Sequence, residues 1–265
     1  MRAFLRAYPA LLRVGLAEAV AYRAEFVVWM LTTTLPLVML ALWTAVAREA
    51  PFGRFGQADF VAYYLATYVV RTVTGSWVVW ELNHEIRTGS LSMRLLRPIH
   101  PFLAYSAEHL AAVPLRALMA LPMAIIMLVT TSADRLVRDP VQIAILPLVF
   151  AGTWLITFLS MLVIGSLGLF MERSIAVFEV WLGAFALLSG YLIPLELMPA
   201  GFRLVSDWLP FRYMLGYPVE LGIGMLSRSQ ALTQLAIQWV WVGILFLLLG
   251  TVWRAGLRRF EAFGS

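Results

Sequence analysis

The chain contains no cysteine and no lysine. Without cysteine there is no disulfide, no thiolate nucleophile and no Cys-ligated metal. Without lysine there is no side chain to hold the β- and γ-phosphates in a Walker A loop, so any ATPase must be another chain. All 20 basic residues are arginine, set against 15 acidic ones. Charge is scarce as well. Charged residues make up 13% of the chain, about half the usual share of a soluble domain. A cleavable signal peptide is not expected either. Arg2, Arg6, Arg13 and Arg23 interrupt the N-terminal stretch, and no clean apolar core precedes a small-residue cleavage site. The first apolar span is expected to act as its own insertion signal.

What is present is apolar. Hydrophobic residues make up 62% of the 265, too many to hide in one soluble core, so the expected solvent is lipid. Six stretches are long and apolar enough to cross a bilayer, which takes about 20 helical residues. They run over residues 26–47, 60–80, 104–131, 141–171, 174–193 and 229–253. Pro36 is expected to kink the first. The expected fold is an all-α integral membrane protein with six transmembrane helices, forming one domain over 1–265.

Arginine placement orients the spans. The N-terminal stretch, the loop after span two (Arg87, Arg94, Arg97) and the tail at 254–265 (Arg254, Arg258, Arg259) are basic and fall on one side. Arg48 and Arg54 are balanced by Glu49 and Asp59, and Arg135 and Arg138 by Asp134 and Asp139. The positive-inside rule then puts both termini in the cytoplasm.

Two segments neither span nor read as plain loop. In residues 1–23, Arg2, Arg6 and Arg13 fall within about 40° on a helical wheel, with Phe4, Tyr8, Leu11 and Leu12 on another face. That pattern fits an amphipathic helix lying in the interface, with Pro9 in its first turn; a frayed basic tail is the plainer alternative. Residues 194–228 carry Pro194, Pro199, Pro210 and Pro218 among Phe202, Trp208, Phe211 and Tyr213. Short helices dipping back into the outer leaflet fit these pieces, as does a loop resting on the membrane surface.

The loop at 81–101 is the most informative feature. Span two is expected to continue as helix past Trp80. Gly89 is expected to stop it, Ser90 to cap a second helix over 91–97, and Pro98 to end that helix. Leu91 and Leu95 lie four apart with Met93 and Leu96 alongside, and Arg94 and Arg97 flank them. Such a piece either seats in a partner's groove or folds its leucines onto lipid.

Enzyme patterns fail one by one. His84-Glu85 opens a metalloprotease-like motif, but position 88 is Thr, so the second histidine ligand is absent. All four Asp residues fall in expected outer segments, and Gly165-Ser166-Leu167-Gly168 is not a nucleophile elbow. No catalytic residue and no metal site is expected.

The loop resembles the first cytoplasmic loop of type-2 ABC export permeases, in the branch where two six-span permeases pair with separate ATPase subunits. The resemblance is carried by Glu85-Ile86-Arg87-Thr88-Gly89-Ser90-Leu91 and Leu95-Leu96-Arg97-Pro98. It extends to Ala21-Tyr22-Arg23-Ala24-Glu25-Phe26, Ile193-Pro194, Met198-Pro199, Leu209-Pro210-Phe211, Pro218 and Gly256-Leu257-Arg258-Arg259-Phe260-Glu261-Ala262. The resemblance implies an elbow helix at 1–23 and re-entrant outer helices at 194–228. It implies a coupling helix that docks on the ATPase through Glu85, Arg87, Gly89, Leu91, Met93, Arg94, Leu95, Leu96 and Arg97. ATP and Mg would sit on that ATPase, with no cofactor on this chain. Partners would be the cytoplasmic ABC ATPases, a second permease (identical or homologous) and membrane lipid, with no nucleic acid. The setting would be a bacterial plasma (inner) membrane.

Arg71 and Arg116 fall inside expected spans, where a central charge costs about 2.5–3.5 kcal/mol and calls for a partner or water. For Arg71 two roles stand side by side: contact with an anionic headgroup on a substrate path shared with Trp77 and Trp181, or an interhelical structural bond. Pro194, Pro199 and Phe211 are candidates for an outer gate. An apolar path with one or two cations suits amphipathic, lipid-like or drug-like cargo, and polysaccharide cargo stays compatible. A membrane scaffold or sensor is the other reading of the chain. A secondary transporter is a third, opposed by the lack of an internal repeat.

Overall fold

The computed structural model describes residues 2–21, 34–130 and 135–262. Among these residues the regular secondary structure is all helix, apart from one isolated antiparallel bridge between Phe52 and Phe55. In order come α1 (Arg2–Ala21), α2 (Leu35–Glu49), α3 (Gln57–Thr74), α4 (Val78–Thr88), α5 (Leu91–Leu95), α6 (Pro101–Ala111) and α7 (Val113–Thr130). They are followed by α8 (Pro140–Ser166), α9 (Ser174–Leu188), α10 (Ala200–Trp208), α11 (Phe211–Met214), α12 (Gly216–Gly222) and α13 (Arg228–Ala262). Three stretches are long and apolar enough to cross a membrane: Pro101–Met127, Pro140–Leu169 and Arg228–Phe260. Among the described residues the protein thus has three apolar candidate spans, by length and composition, and a shorter apolar helix at α9.

Helix α8 is the central post. In its most apolar window 72% of residues are buried, against 22% in the α6–α7 stretch and 17% in α13. It is hydrophobic on every face, as a helix surrounded by protein and lipid must be. Helix α13 packs along it, with α4 and the short helices α11 and α12 against its other sides. Gly152 of α8 makes the close approach possible, because a Cβ there would meet the Gln238 side chain at 2.7 Å. Gln238 is fully buried and donates to the Val149 carbonyl (3.1 Å) and Thr153 Oγ1 (3.0 Å). Thr153 donates in turn to the Tyr213 carbonyl at 3.1 Å, which ties α8, α13 and α11 together.

Several expectations are corrected in detail. Span two is not continuous: helix stops at Thr74 and restarts at Val78. Thr72, Thr74, Gly75 and Ser76 are weak helix formers in sequence, and Gly75 turns to ψ 146°. Its carbonyl then points away from the helix and would be orphaned in lipid. Arg116, from α7, donates to it. Pro9 lies inside α1 rather than in its first turn. Span five is helical only to Leu188. The tail at 254–265 continues α13 as helix to Ala262. Pro36 sits in the first turn of α2, where its missing N–H costs no helical bond; residues 26–33, on which the expected kink also rests, lie outside the described residues.

The segment after α9 is held by aromatic donors. Gly190 has φ +87°, and its carbonyl accepts from the Tyr63 hydroxyl at 2.8 Å. The Leu192 carbonyl accepts from Tyr64 (2.8 Å) and from Trp43 Nε1 (2.9 Å). Nearby, Arg54 pairs with Glu196, and Arg212 is gripped between Asp207 and Glu220, at 2.5 Å each. Residues 52–59, 135–139 and 195–228 therefore cluster at one end of the molecule, joined further by Arg135–Asp59 and Arg228–Asp139, both 2.8 Å. Helix α5 lies at the other end.

Candidate functional site

Helix α4 ends because Gly89 adopts φ 75°, a left-handed conformation, with its N–H on the Ile86 carbonyl. Ser90 stands at the N-cap of α5, but its hydroxyl bonds Thr88 Oγ1 (2.8 Å) and caps no amide. Ser92 Oγ donates to the Gly89 carbonyl instead (2.6 Å). The helix closes at Leu95, two residues before the expected limit.

The two faces of α5 differ sharply. Leu91 is fully buried and Leu95 packs partly buried against the core. Met93 is 67% and Leu96 80% exposed, and Arg87 and Arg97 are exposed beside them. The apolar side chains left for a partner are thus Met93 and Leu96, while Leu91 anchors the helix to its own protein.

Arg94 does not flank the exposed face. It turns inward and is held by three carboxylates: Glu85 at 2.7 Å, Glu108 at 3.0 Å and Glu81 at 3.1 Å. Its guanidinium lies 4.1 Å from the Tyr105 ring centroid, and the Tyr105 hydroxyl donates to Glu85 at 2.6 Å. Burial opposes the charge, but Glu108, Tyr105 and Glu85 outweigh it and hold Arg94 protonated above its ordinary range. Glu81 and Glu85 belong to α4, Tyr105 and Glu108 to α6. One side chain therefore fastens α5 to the ends of both neighbouring helices. Helix α1 packs along α6, and Tyr8 bonds Ser106 at 3.0 Å. Between α4 and α13, a cavity of about 510 Å³ is lined by Arg87, Glu172, Arg259 and the 168–171 turn.

The residues expected on a path are brought together. The Arg71 guanidinium lies 5.6 Å from the Trp77 ring and 5.0 Å from the Phe185 ring. Phe185 stacks with Trp181 (5.6 Å), and Trp181 meets Phe211 at 5.9 Å. Of the outer candidates, Pro194 is buried, Phe211 half-buried and Pro199 exposed. Phe185, Tyr191, Tyr105, Glu81 and Glu108 were not singled out from sequence. The spacing of Phe178, Trp181 and Phe185, three and four apart, carried a signal for a shared aromatic face. The four-residue spacing of Glu81 and Glu85 did the same for an acidic face.

No curated protein matches the chain. The family model described as ABC-2 family transporter protein matches residues 30–264. That span takes in α5, the Arg94 cluster and the aromatic face of α9. The chain belongs to the ABC-2 family of transporter proteins and is a membrane permease component of an ABC transporter, a role that implies association with an ABC ATPase.

Proposed function

We propose that the chain is the six-span permease subunit of an ATP-driven exporter, with both termini in the cytoplasm of a bacterial plasma (inner) membrane. It faces a second permease, identical or homologous, across a route for amphipathic, lipid-like or drug-like cargo. ATP and Mg bind the separate ATPase. The chain itself performs no chemistry.

The observation that carries this reading is the division of labour in α5. Met93 and Leu96 project outward and are exposed, while Leu91 and Arg94 lock the helix inward. A five-residue helix is unstable alone, and this one is built as a rigid peg. In the proposed mechanism the ATPase dimer closes on ATP and pushes on the peg. Arg94 passes the push to α4 through Glu81 and Glu85, and to α6 through Glu108. The break at residues 75–77 lets α4 pivot beneath α3 without tearing a continuous helix. The short helices α10 to α12 then close or open the outer end.

The test is co-purification with the ABC ATPase encoded beside this chain. Leu96→Asp and Met93→Asp place a charge on the exposed face and should abolish association, while leaving the helical content of the isolated permease intact. Full association in both variants would remove the docking role of α5.

A further inference from the structure

The cavity of about 510 Å³ between α4 and α13 has a polar floor, an apolar wall and a charged rim. Its volume falls within the about 300–1,000 Å³ of ligand pockets. Asn83 lies at the floor and is 5% exposed. Its amide nitrogen donates to Ser174 Oγ. Its Oδ1 accepts nothing among the described residues and keeps some accessible surface. Leu169, Phe170 and Met171 form the wall, and Arg87, Glu172 and Arg259 the rim.

Two candidate spans end at this cavity. The stretch Pro140–Leu169 closes at the wall and Arg228–Phe260 at the rim. Gly256 lets the two ends meet, because a Cβ there would lie 2.5 Å from Leu169 Cδ1. The cavity therefore sits where hydrocarbon gives way to headgroups, at the same end of the molecule as α5. Arg87 is exposed and, unlike Arg94, forms no ion pair among the described residues. Across the rim two guanidinium groups stand against one carboxylate, which leaves one positive charge in excess. Arg173, Arg254 and Arg258 are exposed on the flanking segments and add to the positive field.

We propose that this cavity binds an anionic phospholipid with a hydroxylated headgroup, of the phosphatidylglycerol type, from the leaflet next to α5. The phosphodiester balances the excess charge and gives Arg87 and Arg259 their acceptors. The headgroup hydroxyls donate to Asn83 Oδ1 and to Glu172, which have none to donate themselves. Phe170 and Met171 cover the glycerol and the first acyl carbons. A phosphatidylcholine headgroup has neither donor nor net charge, and phosphatidylethanolamine has donors without net charge. The proposal requires only that α8 and α13 cross the bilayer.

The test uses the permease alone, in phosphatidylcholine nanodiscs holding a small share of phosphatidylglycerol with a photoreactive diazirine on its headgroup. Labelling should concentrate on residues 83–87 and 168–172, and labelling spread evenly around the membrane belt overturns the proposal. Unlabelled phosphatidylglycerol should compete, and phosphatidylethanolamine should need about fivefold more. Glycerol 3-phosphate, which has the phosphate without the tails, should not compete. Equal competition by phosphatidylethanolamine overturns the anionic assignment, and equal competition by glycerol 3-phosphate gives the cavity to a soluble phosphate and overturns the lipid. The half-effective concentration of phosphatidylglycerol should rise about 5- to 10-fold in Arg87→Gln and in Arg259→Gln. Arg258→Gln removes an exposed charge from the same tail outside the cavity and should shift it less than about twofold. Unshifted curves in both rim variants overturn the site, and so does an equal shift in Arg258→Gln, which reduces the effect to diffuse surface charge. All three arginines are exposed, so the variants keep the fold. No ATPase is present, so the result stands whether or not α5 docks on one.

Discussion

Replacing Arg94 by Met removes every donor of the guanidinium while keeping most of its stem. Glu85 then retains only the Tyr105 hydroxyl, and Glu81 and Glu108 face each other without a cation. The Arg94 and Glu85 side chains are each 13% exposed, so this pair sits at the low end for a broken buried pair, about 3 kcal/mol. The Glu81 and Glu108 side chains are 36% and 32% exposed, and solvent screening limits each of those contacts to about 0.2–1 kcal/mol. Protonation of one glutamate relieves part of the new repulsion. The sum is about 3–4 kcal/mol, spent on holding one short helix. Local opening of α5 should therefore become about 100- to 1000-fold more frequent. Hydrogen exchange of the amides of residues 91–96 reads this directly and should rise toward the rate of an unfolded segment. Helix α8 should keep its protection, since the groups that hold Arg94 belong to α4 and α6. The companion variant Arg94→Met/Glu85→Gln should recover part of the loss. Exchange at 91–96 that stays within about threefold of wild type would refute the reasoning, whatever happened to transport.

Four further outcomes follow from other sites. Arg116→Leu leaves the Gly75 carbonyl without a donor, which should cost about 1–3 kcal/mol; exchange at residues 75–78 should rise while membrane insertion does not suffer, and unchanged protection there would contradict the capping role. Gly190→Ala combines φ +87° with a Cβ 2.4 Å from the Tyr63 hydroxyl, for an expected loss of about 2–4 kcal/mol. Gly89→Ala has φ +75° and nothing within 4 Å, so thermal unfolding in detergent should show a smaller loss of about 1 kcal/mol. Asp139 accepts from the amides of Val141 and Gln142 and from Arg228, and the Arg228 bond holds its carboxyl below the usual range. Its folded pKa is lowered, so its contribution is present above the unfolded aspartate value and fades as pH falls through the lowered one; melting curves of wild type and Asp139→Ala should differ at neutral pH and converge in acid.

The long apolar helices were legible because nothing distant is needed to specify them. Residues 141–171 carry no charge, and any backbone in lipid must close its own hydrogen bonds. Gly89 was legible for a similar reason, since the left-handed turn needs a residue without a Cβ. The break at Gly75 was not. Its neighbours read as one run with Val70 and Val78, and the donor that makes the open carbonyl tolerable comes from Arg116, far along the chain. The same distance hid the inward turn of Arg94. Its spacing from Arg97 suggested a flank, but Glu81, Glu85 and Glu108 decide its direction, and no local pattern reports which face of α5 they approach. The outward side of that helix followed from this, and so Met93 and Leu96 are exposed where Leu91 and Leu95 shared the expected face.

The aromatic donors around Gly190 and Leu192 separate two quantities that are often treated as one. By transfer free energy, phenylalanine suits a bilayer better than tyrosine or tryptophan. At Trp43, Tyr63 and Tyr64 the preference reverses, because each hydroxyl or indole N–H stands in for the solvent that the carbonyls of 190 and 192 lack. A more lipophilic sequence at these three positions would enter the membrane more readily and fold there less well.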